Sequence, residues 1–334
     1  MSDGATLAAV MRDPTHATTL DGDGWTALFA IARAEQMLGN LAARLDGLEV
    51  PPAAAALLAG AQASAEHGRV EALWEAEMAR RALASLGCPV ILLKGTAYVA
   101  AGLAAGRGRS IGDCDILVPR DRLDEVEKAL LAAGWAWLQP DPYDDLYYRR
   151  WMHELPPLVH PERERMLDVH HTILPLTARI TPDSAALVAD RIELGNGLAV
   201  LGREDMVLHA VAHLFADGDL AGGLRNLWDI HQLLAEFERD GFAERLMDRA
   251  ALHGLTRELR IARRLRAVLY EGEQVPLSPF ERLCLRRITA RDNWGREMRP
   301  LTRLAFYIRS HWLRMPPLML ARHLWTKWRH PPKP

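Results

Sequence analysis

The sequence predicts an α+β fold: a small mixed β-sheet flanked by an N-terminal helical segment and a C-terminal helical domain. Short apolar runs alternate with helical patterns between residues 90 and 172, without the regular repeats of a parallel strand–helix–strand fold. Helical spacing of apolar residues dominates before this region and again from Arg203 onwards. We therefore predict three parts: a helical segment at residues 1–66, a core at 67–200, and a helical domain with a basic tail at 201–334.

The N-terminal segment is predicted as helices separated by turns. Apolar residues recur at helical intervals over residues 25–45, and prolines at 51–52 interrupt the pattern before an Ala-rich helix at 53–65. Residues 67–86 form a separate amphipathic pattern that leads into the core. Nothing in the first 66 residues suggests catalysis, so we interpret them as a helical cap.

The core is predicted as strands joined by helices and a basic loop. Residues 90–93 are an apolar run before a glycine turn, 113–118 open on two aspartates, and 166–172 carry a third. Pro119 begins the helix that follows the second of these strands. The remaining predicted elements are helices at 96–105 and 119–133, a polar loop or short helix at 141–150, and strands at 136–138 and 151–160.

The C-terminal domain is predicted as a series of helices. Two acids follow Arg203, in the first turn of a helix rich in apolar residues and histidine. Further helices are predicted at 225–237, 242–253, 257–270, 279–289 and 301–328.

The composition describes a globular chain in a reducing compartment. With 49% hydrophobic and 25% charged residues, the 334-residue chain can bury a sizeable core, and its net charge of −2 provides no overall attraction to nucleic acid. The three cysteines are widely spaced and odd in number, which argues against a disulfide framework. Residues 1–13 lack a secretory pattern, and the longest uncharged run, 50–65, is too short for a membrane span. We therefore expect a cytoplasmic protein.

Residues 91–118 combine a glycine turn with a pair of carboxylates. An apolar run ends in Lys94 and Gly95, a helix follows, and a basic loop leads to Asp113 and Asp115. Residues i and i+2 of a strand point to one face, so the two aspartates aim at one point. Paired carboxylates suit Mg²⁺, which completes its shell with water and substrate phosphates.

The glycine turn is a candidate phosphate site. Gly95 permits close approach of the backbone to a ligand, and the N–H groups of Gly95 and Thr96 open a helix whose positive end favours phosphate. Lys94 is one of only four lysines among 41 basic residues, so a lysine just before this turn is an informative choice. A surface lysine at a strand end is the alternative.

The pattern Leu-Lys-Gly-x-Ala, followed by Arg-x-x-Gly-Asp-x-Asp, resembles the nucleotidyltransferase superfamily that has a DNA polymerase β-type catalytic core. More narrowly, it is similar to an uncharacterised bacterial nucleotidyltransferase family, over roughly residues 68–235. The resemblance implies that Asp113 and Asp115 bind metal and that Asp168, on a later strand, is the third carboxylate. This chain has Gly-Thr where members of the superfamily often have Gly-Ser.

The resemblance also implies cofactor, substrate and contacts. The cofactor would be Mg²⁺ or Mn²⁺ and the substrate an NTP, with Lys94, Gly95, Thr96 and Arg109 holding the triphosphate. Arginine suits bidentate contacts to phosphate, and Arg109 matches the arginine of the family pattern. Asp168 could orient and deprotonate the attacking hydroxyl of the acceptor.

Further polar residues are candidates for the acceptor side of the cleft. His170 shares a strand face with Asp168 and could contact phosphate or acceptor; a neighbour without that role is the alternative. Arg225 and Asp229 stand four residues apart on a helix, where they could line the cleft or form a structural ion pair.

Two histidine-containing segments are harder to assign. His209 and His213 have a spacing that can bind zinc, but the segment lacks the glutamate of an HExxH motif, so we favour core or cap histidines. The stretch at 153–157, which begins His-Glu, could form a wall of the cleft, and its role is open.

The C-terminal segment interleaves aromatic and basic residues. Trp312, Trp325 and Trp328 alternate with arginines and a lysine, a pattern that could contact an anionic membrane surface, nucleic acid or a partner. We favour a last helix that packs its aromatic face on the domain, because the preceding helices need a partner.

Taken together, these patterns predict an Mg²⁺-dependent enzyme that transfers a nucleoside monophosphate from an NTP to an unidentified acceptor, which could be a small molecule, a peptide or a protein, and releases pyrophosphate. The alternative is a non-catalytic module of the same fold that binds a nucleotide or a partner, and the presence of all three carboxylates counts against it. A third hypothesis is assembly at a membrane surface or in a complex through the basic tail.

Overall fold

The computed structural model describes residues 3–138, 142–239 and 241–317, together with residues 320, 321, 325 and 329. Its architecture is a seven-stranded mixed sheet surrounded by α-helices, in agreement with the predicted α+β class. Within these residues, a continuous cluster of buried apolar side chains extends from Leu7 in the first helix through Ile116 in the sheet to Phe306 in the last helix. The division of the chain at residues 66 and 200 stays a prediction.

Four helices form the N-terminal segment: α1 (Asp3–Arg12), α2 (Gly22–Ala34), α3 (Leu38–Arg44) and α4 (Pro52–Leu83). The Asp21 side chain caps α2 by accepting a hydrogen bond of 2.8 Å from the backbone N–H of Gly24. Pro52 stands in the first turn of α4, where a missing N–H costs nothing. The helix then continues for 32 residues, so the two helices predicted at 53–65 and 67–86 are one helix that runs through the predicted boundary at residue 66.

The sheet has seven strands: β1 (Ile91–Leu92), β2 (Asp113–Leu117), β3 (Ala136–Trp137), β4 (Leu158–His160), β5 (Arg165–His170), β6 (Ile192–Glu193) and β7 (Ala199–Val200). Their order across the sheet is β3-β4-β5-β2-β1-β7-β6. β2 pairs with β5 and β1 with β7 in parallel, whereas the other neighbours are antiparallel. The two strands predicted to carry carboxylates are therefore direct neighbours at the centre of the sheet.

Four helices accompany the strands: α5 (Lys94–Ala100), α6 (Leu123–Ala132), α7 (Pro142–Trp151) and α8 (Ser184–Ala189). The strand predicted at 151–160 is interrupted: α7 ends at Trp151, Glu154 forms an isolated antiparallel bridge with His170, and β4 begins at Leu158. Pro156 and Pro157 lack the N–H that a strand ladder requires. Most of the polar stretch at 141–150 is helical, and residue 141 lies outside the described residues.

The two faces of β2 meet different surroundings. On one face, α4 packs against the strand, and burial together with the charges of Asp115 and Glu75 raises the pKa of the Cys114 thiol. Glu75 ties α4 to the sheet, since it accepts hydrogen bonds from Trp135 Nε1 at 2.9 Å and from Arg163 Nε at 2.6 Å. Because strand residues alternate between faces, Asp115 points to the side opposite Cys114.

Six described helices form the C-terminal part: α9 (Arg203–Val211), α10 (Gly223–Phe237), α11 (Phe242–Leu252), α12 (Thr256–Arg266), α13 (Pro279–Ile288) and α14 (Pro300–Arg314). The backbone N–H of Ala104 donates a hydrogen bond of 2.8 Å to Glu236, which ties α10 to the core. α14 ends at Arg314, within the predicted stretch at 301–328, and the described residues 317, 320, 321 and 325 beyond it are again helical, while the other residues from 318 to 328 lie outside the described ones.

Among the residues that the structure describes, no helix combines the length and the apolar character needed to cross a membrane. The thiols of Cys88, Cys114 and Cys284 are all free. A cytoplasmic location stays a prediction.

Candidate active site

Three aspartates converge where the central strands β2 and β5 lie side by side. Asp113 and Asp115 stand two residues apart on β2, and Asp168 on β5 is the register partner of Asp115. One carboxylate oxygen from each lies within 4.8 Å of the others. The alternation of a regular strand aims the first two at one point, and the parallel register adds the third.

Asp115 is buried and held in its ionised form. Its Oδ1 accepts hydrogen bonds from Lys94 Nζ at 2.6 Å and from His170 Nε2 at 2.9 Å. Burial by itself would raise the pKa of this carboxyl, but the charge of Lys94 and the hydrogen bond from His170 outweigh burial and hold the pKa below its usual value. Both donors contact Oδ1, so neither of them occupies Oδ2.

Lys94 occupies an uncommon backbone conformation at the start of α5. Its φ of 48° lies in the left-handed region, which residues other than glycine rarely adopt. Residues in such conformations are often found at functional sites. Burial alone would lower the pKa of the ammonium group, but the charge of Asp115 outweighs it, so the pKa is raised. The resemblance assigns Lys94 to the triphosphate, whereas here its ammonium group is bonded to a carboxylate of the site.

Asp168 is the least satisfied carboxylate of the three. Its Oδ1 is buried and has no hydrogen-bond partner among the described atoms. Burial, followed by the negative charges of Asp115 and Glu154, raises the pKa of Asp168 to about 7. A buried acceptor without a donor beside two further carboxylates is an arrangement that suits a hard divalent cation.

A second polar cluster lies directly behind Asp115. His170 Nε2 is 3.3 Å from Glu154 Oε2, and His153 Nε2 is 3.7 Å from the same oxygen. Burial would lower the pKa of His170, but its hydrogen bond to Asp115 and the charge of Glu154 outweigh burial and raise it. His170 thus connects two carboxylates, and the stretch at 153–157 acquires a role that sequence reasoning left open.

Glu154 reaches this position through strand pairing inside the stretch predicted as a strand at 151–160. It forms an isolated antiparallel bridge with His170, and the backbone N–H of Leu155 donates to the Val169 carbonyl at 2.9 Å. The glutamate lies between a helix and two prolines, so no strand-like alternation marks it. The sequence feature that could have indicated a role in the site was the His-Glu pair itself, because both residues can bind a proton or a metal ion.

A cavity of about 200 Å³ lies next to the aspartates. Its walls come from all three predicted parts of the chain, which the sequence does not anticipate. The lining residues are Gln36, Lys94, Gly95, Tyr98, Arg109, Ser110, Gly112, Asp113, His209, Ala210, His213, Arg225, Asn226 and Asp229.

A buried ion pair closes one wall of this cavity. Arg109 Nε lies 2.9 Å from Asp229 Oδ2, and both side chains are almost fully buried. Burial raises the pKa of Asp229 even though the positive charges of Arg109 and Arg225 lower it. A Cβ atom at Gly95 would lie 2.5 Å from Arg109 Nη1, so a larger residue here would force the guanidinium to shift from its position against Asp229. The glycine thus serves side-chain packing here.

Arg225 and Asp229 both line the cavity, which was one of the two alternatives for this helix, and the ion pair of the other alternative is formed by Asp229 with Arg109 instead. Asp229 bonds to Arg109 of the core, whereas Arg225 Nη1 donates to the side-chain oxygen of Gln36. Arg225 Nε is buried and has no hydrogen-bond partner among the described atoms. Burial, and then the charge of Arg109, lowers the pKa of Arg225. Arg225 is therefore a cation of the cavity wall whose hydrogen-bonding capacity is incompletely used.

The predicted phosphate contact of the Thr96 backbone N–H stays a prediction, whereas the side chain of Thr96 has a structural role. Thr96 is buried, does not line the cavity, and donates from its hydroxyl to the Asp113 carbonyl at 3.4 Å. Its hydroxyl therefore supports the start of β2.

His209 and His213 both line the cavity, although the sequence favours a core or cap role. His209 is buried, and burial together with the charge of Lys94 holds its pKa well below the usual value, so it is neutral. His213 stands in a π-helical turn, Ala212–Asp217, that continues α9. Such turns are often found at functional sites, but no sequence pattern marked this one.

Comparison with known proteins agrees with this geometry. No curated protein matches the chain. The model of one family, described as uncharacterised nucleotidyltransferase, matches residues 21–271. This match covers the N-terminal helix α2, the whole sheet and the cavity wall formed by α9 and α10. The chain therefore belongs to this family of uncharacterised nucleotidyltransferases.

Proposed function

We propose that this protein is a divalent-cation-dependent nucleotidyltransferase of the DNA polymerase β type, which transfers a nucleoside monophosphate from an NTP to an acceptor and releases pyrophosphate. The observation that carries the proposal is the convergence of Asp113, Asp115 and Asp168 in a chain that belongs to a nucleotidyltransferase family. The cavity that Asp113 and Lys94 line provides space for phosphate groups beside the carboxylates.

The three aspartates would hold Mg²⁺ or Mn²⁺. The unpartnered Oδ1 of Asp168 supports this assignment, as does the position of Lys94 and His170 on Oδ1 rather than Oδ2 of Asp115, since hard cations select carboxylate oxygens. When bound, the cation neutralises charge on the phosphates and increases the electrophilicity of the phosphorus atom. His170 and Lys94 keep Asp115 ionised and fix its orientation.

The other residues of the cavity would position the reactants. Arg225 presents a positive charge to the cavity, and Lys94 adds a second cation at the level of the aspartates. In the transfer, the acceptor oxygen forms a bond to the α-phosphorus, the bond from that phosphorus to the bridging oxygen breaks, and pyrophosphate leaves. Asp168, the carboxylate whose Oδ1 has no hydrogen-bond partner among the described atoms, accepts the proton of the attacking group.

A label-transfer experiment tests the proposal. Each NTP, labelled on its α-phosphate, is incubated with the protein, Mg²⁺ and a cell extract, and the label is followed into small molecules, peptides or proteins. Asp113→Asn and Asp115→Asn should abolish transfer, whereas Asp124→Asn, an exposed aspartate of α6, serves as the matched control and should not.

Two results would count against an enzyme. Transfer at the wild-type rate by Asp115→Asn would remove the aspartates from the mechanism. NTP binding without transfer by the wild type would support the alternative, a non-catalytic nucleotide-binding module. Label that stays on the protein itself would identify protein modification as the activity.

A further inference from the structure

The last helix, α14, turns its apolar side outward. Leu301, Leu304, Ile308 and Trp312 recur at the spacing of one helical face. Their exposed fractions are 80%, 52%, 57% and 48%. Phe306 and Ser310 on the other side are the buried residues of α14, and the Arg179 guanidinium lies over the Trp312 ring at 4.5 Å. The packing of the aromatic face of the whole tail on the domain stays a prediction.

The surroundings of this face are also rich in exposed apolar and aromatic groups. The segment that leads into α14 exposes Trp294 and Met298, and Tyr307 and Trp325 are about half exposed. Tryptophan and tyrosine have an apolar ring with a polar edge, a combination that is enriched at the boundary between water and lipid headgroups. We call the four residues Leu301, Leu304, Ile308 and Trp312 the α14 stripe.

Charge distinguishes this end of the chain from the rest. After Glu297 the sequence contains eight Lys and Arg residues and neither Asp nor Glu, although the whole chain has a net charge of −2. Arg303 is exposed and Arg329 lies over the Trp325 ring at 4.7 Å. An apolar stripe next to a strongly basic segment is complementary to a surface that is both apolar and anionic.

We propose that the α14 stripe docks on an anionic lipid surface and holds the catalytic body at a membrane as a peripheral protein. A stable protein partner needs an interface of roughly 20–30 residues on each side. The stripe is one helix wide, which is what an interfacial helix requires. The matched family segment ends at residue 271, so α14 lies outside it, and none of the residues that line the cavity belongs to α14. This inference does not depend on the proposed activity.

Vesicle sedimentation with the full chain tests the inference. Vesicles of phosphatidylcholine alone are compared with vesicles that also contain phosphatidylglycerol, at low and high salt. We expect the wild type to sediment with the anionic vesicles and to do so less at high salt, because screening weakens surface electrostatics. The double variant Leu304→Glu with Ile308→Glu should bind the anionic vesicles more weakly than the wild type does, by a factor of about ten or more.

A matched control separates loss of this surface from a general effect of new charge. Val70 on α4 is 52% exposed, like the two replaced residues, and Val70→Glu should sediment as the wild type does. The inference is overturned if the wild type does not bind anionic vesicles, or if the double variant binds them equally well. Sedimentation velocity without lipid provides a further check: a wild-type dimer that the double variant converts to a monomer would identify a second copy as the occupant and would also overturn the inference.

Discussion

Replacing Lys94 with methionine should destabilise the metal-free protein and make its stability depend on a divalent cation. Lys94 Nζ lies 2.6 Å from Asp115 Oδ1, and the two side chains are 24% and 2% exposed. Methionine keeps an extended side chain but removes the ammonium group. In this variant Asp115 keeps the hydrogen bond from His170, but the carboxyl groups of Asp168 and Glu154 lie close to it without the opposing charge of Lys94.

The size of the effect follows from the burial of the pair. Loss of one partner from a buried ion pair costs ~3–5 kcal/mol of unfolding free energy. We expect about 3 kcal/mol, the lower end, because Lys94 is partly exposed and His170 remains. A cation at ~100 times its Kd stabilises the folded state by about 2.7 kcal/mol. The cation should stabilise the folded state of Lys94→Met by at least this amount, since the positive charge of Lys94 no longer opposes a cation beside Asp115.

The assay is urea unfolding of the wild type, Lys94→Met and Lys94→Arg, each with EDTA and with Mg²⁺. Lys94→Arg keeps the positive charge and should lose less stability than Lys94→Met. Mg²⁺ should reduce the difference in unfolding free energy between Lys94→Met and the wild type. The reasoning is refuted if Lys94→Met in EDTA lies within about 0.5 kcal/mol of the wild type, or if Mg²⁺ stabilises it less than the wild type.

Three other predictions test neighbouring residues. Burial raises the pKa of Asp168 in the folded protein to about 7, above the 3.8 of an ordinary aspartate. The folded state therefore retains a proton that the unfolded state releases, and metal-free stability should fall as pH rises from about 4 to about 7. Asp168→Asn should remove this fall in urea unfolding with EDTA, and an unchanged pH profile would contradict the pKa. Glu154→Gln should weaken Mn²⁺ binding ~10-fold or more in calorimetry, because residues behind a ligand orient it; affinity equal to the wild type would exclude that role. Arg109→Ala and Asp229→Asn should each destabilise the fold by about 3 kcal/mol, and the double variant by clearly less than the sum; additive losses would show that the two side chains do not interact.

Local patterns in the sequence predicted the carboxylates of the site well. Asp113 and Asp115 required only the alternation of one strand, whereas Asp168 was assigned from the family resemblance, and the parallel pairing of β2 with β5 places it beside them. The contacts between distant segments could not be predicted in the same way. The Lys94 to Asp115 bond depends on how β1 and β2 pair, and the Arg109 to Asp229 pair joins residues that are 120 positions apart.

The errors in the fold have equally specific causes. The helix pattern at 53–65 and 67–86 was divided because its apolar spacing is weak, but small residues allow α4 to continue without interruption. The strand at 151–160 was extended through two prolines that cannot join a ladder. For α14, an amphipathic pattern indicates which side chains share a face, and it does not indicate what covers that face.

The buried ion pair between Arg109 and Asp229 limits which segments of this protein can be exchanged with those of its relatives. Arg109 comes from the loop before β2, Asp229 from α10, and Gly95 leaves the space through which the arginine passes. A chimera that takes its sheet from one relative and its C-terminal helices from another must therefore inherit all three positions together. A mismatched exchange would leave one charge buried without its counterion, so we expect these positions to be exchanged as a set.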